Sequence, residues 1–323
     1  MADRILIVKL SSLGDLFHAL PAVHVLKVSW GASIDWLTQP EYAELAGHFE
    51  DVDEVICFPR RHFLGRLGDF RRTLRRKHYD YAIDMQGLFK SGLAARMADA
   101  DRCIGPSFNR EASRVFYHAV AGRPDRSRHA VDQHFDLVKY FGLEGEKHFP
   151  VAWPKIDLPE APLRIGIAPC SRWPAKNWPI DRFAELANRI GASHPATFYL
   201  LGGPGDVPAG RHLAESIQVP VDDRCGKTSL PELGGLIREL DLVVSNDSGP
   251  MHIASTTNTP VLALFGPTDP ALTGPYGDHH HVIRPAGLPR GNGVYKSDDT
   301  SLIEQISVDE VYASAVQYLS PGA

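Results

Sequence analysis

The sequence has few cysteines, and none of them lie in a pattern typical of a structural site. Its 323 residues include four cysteines, which are widely scattered and form no Cys-x-x-Cys pair. Structural zinc sites and disulfide frameworks need cysteines at short, regular spacings. We therefore expect neither in this chain.

Several other signatures are missing too. No apolar run reaches the roughly 20 residues of a membrane-spanning helix, and residues 1–10 lack the charged, apolar and small-residue regions of a secretory signal. We therefore expect a cytoplasmic protein. No Gly-x-Gly-x-x-Gly follows a predicted strand, and no Gly-x₄-Gly-Lys-Ser/Thr occurs, so the dinucleotide fingerprint and the P-loop are both absent.

The composition is that of a globular protein with an uneven charge distribution. Hydrophobic residues make up 43% of the chain and charged residues 23%, and the length suits two domains. The net charge of −5 conceals a basic region over residues 60–128, which holds 16 Lys and Arg against 7 Asp and Glu. Such a surplus suits an anionic ligand or a membrane surface. A solvated basic helix face is the alternative.

Strand and helix patterns alternate through both halves of the chain. This alternation predicts parallel, doubly wound sheets. Four prolines between residues 150 and 162 cannot continue a helix or a central strand. We therefore predict a first domain over 1–150, a linker over 151–162, a second domain over 163–307, and a C-terminal helix and tail over 308–323. This organisation predicts two Rossmann-like domains that face a cleft.

Within the first domain, apolar spacing predicts several helices. One begins near Leu64, and two more cover Glu111–Val120 and His129–Phe141.

A strand, a tight turn and a helix start follow one another in Arg4–Asp15, RILIVKLSSLGD. In a parallel α/β sheet, this turn lies at the carboxyl end of the first strand, where ligands bind. Asp15 is therefore either the cap of the helix or a site residue.

The second half contains a comparable turn after the strand Asp241–Asn246. Asp247, Ser248, Gly249 and His252 cluster around a helix start, which can form an anion site. The alternative is a capped helix with a buried histidine. An aspartate here repels phosphate unless it caps the helix or faces a sugar hydroxyl.

Lys176 lies on a proline-restricted loop between two tryptophans, and neutralising a phosphate leaving group is the natural role of such a cation.

Two further features carry little weight. The run Asp278–His281 has no second cluster of acids or cysteines at ligand spacing, so we expect no metal site. Cys170 follows a strand, but no His–Asx pair accompanies it, and we expect no nucleophilic cysteine.

Three motifs give the chain a resemblance to a known family. These are ILIVKLSSLGDLFHALPA (5–22), SRWPAKNWP (171–179), and VSNDSGPMHIAS (244–255) followed by LFGPTDP. With these motifs in this order, the chain resembles glycosyltransferase family 9, the bacterial lipopolysaccharide heptosyltransferases. The segments IDMQGLFKSGLAARMA (83–98), REASRVFY (110–117) and RHAVDQH (128–134) resemble the heptosyltransferase I branch.

The resemblance implies a GT-B fold and an inverting transfer of heptose from ADP-L-glycero-β-D-manno-heptose to a Kdo sugar of the lipid A inner core. It implies no obligatory metal and no other cofactor. By residue matching, Asp15 is the catalytic base and Lys176 contacts the nucleotide diphosphate. The remaining donor-binding candidates are Ser171, Asp206, Asp247, Ser248, Gly249 and His252. The acceptor-binding candidates are Ser12, Gly14, Arg60, Arg61, Gln86, Lys90 and Arg114.

The chain departs from the family pattern at two places. Asp206 stands where a longer Glu often holds the adenosine ribose, and Asp132-Gln133-His134 stands where Glu-Arg-Asn is common.

Three alternatives stay open: a family 9 enzyme with another acceptor (heptosyltransferase II or III), a non-catalytic nucleotide-sugar-binding protein, and a GT-B-like epimerase. On the leading interpretation, the partners are ADP-heptose, Kdo-lipid A and the cytoplasmic face of the inner membrane, with no nucleic acid.

Overall fold

The computed structural model describes residues 2–60, 63–125, 127–257, 259–288 and 299–319. The chain divides into two compact units, unit 1 (Met1–Ala152) and unit 2 (Trp153–Ala323). The predicted linker is shared between them. Val151 forms an isolated antiparallel bridge with Phe49 of unit 1, whereas the ring of Trp153 lies directly against Gly234 of unit 2.

Unit 1 contains a parallel sheet with the order β3-β2-β1-β4-β5-β6 in the described part of the chain. The central strand β1 is buried on both faces, from Ile5 to Val8. This explains its continuous apolar sequence, since parallel sheets are covered by helices on both sides. The strands are β1 (Arg4–Val8), β2 (Ser33–Thr38), β3 (Glu54–Cys57), β4 (His78–Asp84), β5 (Asp99–Pro106) and β6 (Ala119–Ala121).

The helices of unit 1 follow its strands. The longest begins after Ser12 and ends at Gly31, whose φ of 64° places it in the left-handed region that favours glycine. The helices are α1 (Leu13–Trp30), α2 (Ala43–Ala46), α3 (Phe63–Leu74), α4 (Phe89–Met97) and α5 (Ala130–Tyr140). None of the helices in the described ranges is long and apolar enough to cross a membrane.

The predicted helix over Glu111–Val120 is wrong. Glu111 and Ala112 have φ angles of 55° and 58°, which no right-handed helix accommodates. Only a 3₁₀ turn over Ser113–Phe116 follows, and the chain then enters β6, which pairs with β5. Tertiary contacts explain the difference, because the Ser113 hydroxyl donates to the Gly87 carbonyl at 3.0 Å and holds the segment against the loop after β4.

Unit 2 repeats the same parallel arrangement, with the order β12-β11-β10-β7-β8-β9 among its described residues. Its strands are β7 (Arg164–Ala168), β8 (Thr197–Leu200), β9 (Val221–Asp223), β10 (Leu242–Asn246), β11 (Val261–Leu264) and β12 (His281–Ile283). Its helices are α6 (Ile180–Ser193), α7 (Val207–Ser216), α8 (Leu230–Arg238), α9 (Gly249–Ala254), α10 (Pro270–Thr273) and α11 (Val308–Leu319).

Each sheet has a core of its own. Buried side chains of β1, β4 and α4 belong to one apolar cluster in unit 1. A second cluster joins β7, β8, β10 and β11 to α6 and α11 in unit 2. Read from one edge, both sheets have the strand order 3-2-1-4-5-6 of a Rossmann fold, which confirms the predicted doubly wound architecture.

Candidate functional site

The strand order places one switch point in each unit, where neighbouring strands connect in opposite directions. In unit 1 it lies between β1 and β4, and in unit 2 between β7 and β10. Ligands of open α/β sheets bind at the carboxyl ends of such strands. Most of the predicted site residues follow these four strands, so each unit carries its own candidate half-site.

Asp15 lies in the first turn of α1, and its two carboxylate oxygens have different surroundings. Oδ2 accepts hydrogen bonds from the backbone N–H and the hydroxyl of Ser12, at 2.9 and 2.8 Å. Oδ1 accepts no hydrogen bond from the described residues, and the ammonium of Lys9 lies 4.0 Å from it. The side chain is 43% exposed. Asp15 therefore caps the helix with one oxygen and leaves the other available.

Gln86 holds the Asp15 loop in place. Its amide oxygen accepts from the backbone N–H groups of Leu10 and Ser11, both at 3.0 Å. This side chain, a predicted acceptor ligand, therefore joins the loop after β4 to the loop after β1. Gly14 is buried in the first turn of α1.

The loop that carries Gln86 is itself fixed by Asp84, a buried carboxylate at the end of β4. Asp84 accepts from the backbone N–H groups of Gln86 and Gly87, from the Ser91 hydroxyl and from the Tyr117 hydroxyl. Burial raises the pKa of Asp84, and these four donors oppose the rise.

Lys9 and His134 complete the unit 1 half-site, although sequence reasoning gave neither of them a role. The Lys9 side chain is buried, and its ammonium donates to the Met85 carbonyl at 2.8 Å. The Nε2 atom of His134, on α5, lies 3.4 Å from the same ammonium. One signal was available, since Lys9 is a single cation inside the apolar run ILIVKL.

Burial and the neighbouring ammonium explain the charge state of His134. The pKa of His134 is lowered well below 6.5, first by burial and then by Lys9. The ring is therefore neutral near pH 7. Because an ammonium can only donate, Nε2 acts as the acceptor and Nδ1 carries the proton. Nδ1 has no hydrogen-bond partner among the described residues.

The predicted basic acceptor ligands are spread over unit 1. Arg60 pairs with Glu41 at 3.1 Å, Arg114 donates to the Tyr117 carbonyl at 3.1 Å, and Lys90 is exposed at the start of α4. Arg61 lies outside the described residues. The structure therefore gives Arg60 and Arg114 intramolecular partners, and leaves Lys90 facing solvent.

In unit 2, the ammonium of Lys176 donates to Oδ2 of Asp247 at 2.6 Å. The Thr268 hydroxyl donates to the same oxygen at 2.7 Å. Asp247 is only 5% exposed and Lys176 15%. This ion pair resolves the objection that an aspartate at this turn repels phosphate, because Lys176 neutralises its charge. Sequence reasoning did not assign Thr268 a role.

Asn246, the last residue of β10, holds both ends of the loop after β7. Its amide donates to the Pro169 carbonyl at 2.6 Å, and its amide oxygen accepts from the Trp178 backbone N–H at 3.1 Å. The Ser171 hydroxyl donates to the Trp173 carbonyl at 2.9 Å. The Lys176 loop is therefore organised by local contacts and by the end of β10.

Most of the other predicted donor ligands lie close to Asp247 in the sequence. Asp206 instead follows β8, the strand beside β7. Ser248 precedes α9, Gly249 begins it, and the half-buried His252 lies one turn in. α9 ends at Ala254. Asp206 accepts from the Gly203 backbone N–H at 2.7 Å.

Cys170 and the histidines of 278–281 do not form a reactive centre. Burial and the neighbouring Asp206 raise the pKa of the Cys170 thiol to about 12, so the thiol is protonated at neutral pH. Among the described residues, no group of three or more His, Cys, Asp or Glu side chains is arranged to hold a metal ion.

Comparison with known proteins places this arrangement in a family. The model of glycosyltransferase family 9 (heptosyltransferase) matches residues 67–296. Lipopolysaccharide heptosyltransferase 1 of Salmonella typhimurium is 29% identical over 297 residues, 85% of this chain and 92% of that protein. Lipopolysaccharide heptosyltransferase 2 of Escherichia coli is 28% identical over 308 residues, 87% of this chain and 88% of that protein.

A solved structure supports the same assignment. E. coli heptosyltransferase WaaC with ADP has a TM-score of 0.81 and 26% identity, and the match covers 98% of this chain and 99% of WaaC. The predicted GT-B fold, with two Rossmann-like domains, is confirmed.

The buried neutral His134 predicts a dependence of stability on pH. Below about pH 6.5, the unfolded chain binds a proton at this residue that the folded chain does not bind. The free energy of unfolding should therefore fall as the pH is lowered from 7 to 5. Relative to wild type, His134→Gln should remove up to about 1.4 kcal/mol of this loss per pH unit, as measured by urea denaturation. Parallel pH profiles for the two proteins would contradict the prediction, and the exposed His148→Gln is the control.

Proposed function

We propose a specific reaction for this chain, which belongs to glycosyltransferase family 9, the heptosyltransferases, and is a glycosyltransferase enzyme. The reaction is the transfer of L-glycero-D-manno-heptose from ADP-heptose to a Kdo sugar of the lipid A inner core, with inversion at the anomeric carbon. It is the reaction of a heptosyltransferase I.

The Asp15 carboxylate is the observation that carries this proposal. Ser12 holds Oδ2 with two hydrogen bonds, and Oδ1 accepts none from the described residues. We assign Oδ1 as the atom that removes the proton from the acceptor hydroxyl. The hydroxyl oxygen forms the new bond to the anomeric carbon of the heptose. The bond from that carbon to the β-phosphate oxygen breaks, and ADP leaves with the electron pair. A positioned base contributes about 10²–10⁴-fold to such a reaction.

Lys176 is assigned to the ADP leaving group. Its ammonium is preorganised on a short 3₁₀ turn and is held by the buried Asp247. Negative charge grows on the β-phosphate as the glycosidic bond breaks, and a fixed cation stabilises that charge. α9 has only six residues, so we assign the larger part of this stabilisation to Lys176. Ser171, Asp206, Ser248, Gly249 and His252 complete the proposed donor site.

The acceptor and the membrane contact are assigned from charge. α3 and the residues after it expose Arg66, Arg71, Arg72, Arg75 and Arg76. A basic surface attracts anionic phosphate and carboxylate groups and the anionic inner leaflet. We therefore propose that this face approaches the membrane from the cytoplasmic side. The described residues proposed to contact the acceptor are Ser12, Gly14, Arg60, Gln86, Lys90 and Arg114.

An acceptor assay tests the proposed reaction. We expect mass spectrometry to detect the addition of one heptose to de-acylated Kdo₂-lipid A when the purified protein is supplied with ADP-heptose. An acceptor that already carries the first heptose should remain unchanged. Transfer to the heptosylated acceptor alone would instead assign the chain a heptosyltransferase II reaction.

Replacing the base should separate binding from turnover. Asp15→Asn should lower kcat about 10²–10⁴-fold, because the amide cannot accept the proton. The affinity for ADP-heptose, measured by calorimetry, should stay within about twofold of wild type. Asp181→Asn, at an exposed position on α6, is the control. Near-normal turnover in folded Asp15→Asn would rule out the assigned role.

Replacing the leaving-group cation should affect both binding and turnover. Lys176→Ala should weaken ADP binding and lower kcat by about tenfold or more each, since the diphosphate is charged in the ground state and more so in the transition state. Lys155→Ala, which removes a solvent-exposed lysine of the same unit, should change neither. Unchanged ADP affinity and rate in Lys176→Ala would disprove the assignment.

A further inference from the structure

We propose that Lys9 is a positioning residue for the Asp15 base, and that its buried ammonium orients the carboxylate beside an anionic acceptor. The inference rests on the proposed function for its catalytic consequence, although the interaction of the two charges can be measured independently.

The geometry places Lys9 behind the base. Its side chain is 3% exposed, whereas that of Asp15 is 43% exposed. The ammonium lies 4.0 Å from Oδ1 of Asp15, while Ser12 holds Oδ2. The carboxylate is therefore fixed between Ser12 and a cation, and its exposed part is left for a substrate. Two opposite charges at this distance interact strongly where water is partly excluded.

The site is built to hold a charged ammonium. Nζ donates to the Met85 carbonyl and has the neutral His134 Nε2 within 3.4 Å. These two acceptors come from different elements, the loop after β4 and α5. They partly replace the water that a buried cation loses. A lysine with only a packing role does not need two such acceptors.

Among the described residues, the charged and titratable groups near Lys9 come from four parts of unit 1. Burial is the largest influence on the Lys9 pKa and lowers it, and Arg110, after β5, lowers it further, whereas Asp15 on α1 and Asp84 on β4 raise it. The net direction is downward. His134 on α5 is neutral near pH 7. The two carboxylates therefore oppose the loss of charge that burial favours.

This arrangement has a chemical purpose in the proposed reaction. An acceptor that carries carboxylates or phosphates repels the Asp15 carboxylate. A buried cation behind the carboxylate opposes that repulsion and keeps Oδ1 directed at the acceptor hydroxyl.

The first test measures the coupling without activity. The Lys9 pKa is followed by NMR in protein with ¹³Cε-labelled lysine, and the Lys9 signal is identified by its loss in Lys9→Met. We expect the Lys9 pKa to fall by about one unit in Asp15→Asn. It should stay unchanged in Asp53→Asn, which removes the partner of Lys27 on the same helix. An unchanged Lys9 pKa in Asp15→Asn would overturn the proposal.

The second test measures the catalytic consequence by separating kcat from KM. Lys9→Met should lower kcat about 10–10²-fold, because the Asp15 carboxylate loses its positioning cation, and leave the KM for ADP-heptose unchanged. Lys9→Arg should restore part of the lost kcat, and Lys27→Met should keep the wild-type kcat. An unchanged kcat in folded Lys9→Met, or a loss that Lys9→Arg does not restore, would overturn the proposal.

The two tests separate this inference from the proposed function. Absence of heptose transfer by wild type rejects the proposed function, and the NMR titration still decides whether Lys9 and Asp15 are coupled. Transfer by wild type together with an unchanged kcat in folded Lys9→Met rejects the inference alone. If Lys9→Met does not fold, the titration in Asp15→Asn decides the matter, with the Lys9 signal identified in Lys9→Arg.

Discussion

In each unit, one side-chain amide at or just after the end of one switch-point strand holds the loop that follows the neighbouring strand. In unit 1, Gln86 accepts from the N–H groups of Leu10 and Ser11. In unit 2, Asn246 donates to the Pro169 carbonyl and accepts from the Trp178 N–H. Backbone groups in such turns need partners, and an amide supplies them without adding a charge. The positions of Asp15 and Lys176 depend on these two residues, because each lies within or directly after a loop that the amide holds.

The two half-sites use charge in the same way. In each, a cation and a carboxylate face one another, Lys9 with Asp15 and Lys176 with Asp247. The exposed member differs: in unit 1 the carboxylate is the more accessible, and in unit 2 the ammonium is. On the proposed function, this reversal suits the two tasks, because a base must reach a hydroxyl and a cation must reach a diphosphate. Each buried partner then stabilises the charge of the exposed one.

Local sequence predicted much of the fold, because β1, α5 and α11 have apolar patterns that their burial explains. The turns after the strands indicated where the candidate site residues lie. The contacts that define the half-sites could not be predicted in this way. Lys9 and His134 are 125 positions apart, and Lys176 and Asp247 are 71 apart. The segment after Arg110 was mispredicted for a related reason, since its left-handed residues are stabilised by tertiary contacts that no local pattern records.

The repetition of one strand order in two separately cored units has an evolutionary consequence. Substitutions around β1 and β4 alter one sheet and its core, and those around β7 and β10 alter the other. On the proposed assignment of ligands, mutations in unit 1 can change the preference for the sugar acceptor and leave the nucleotide site of unit 2 intact.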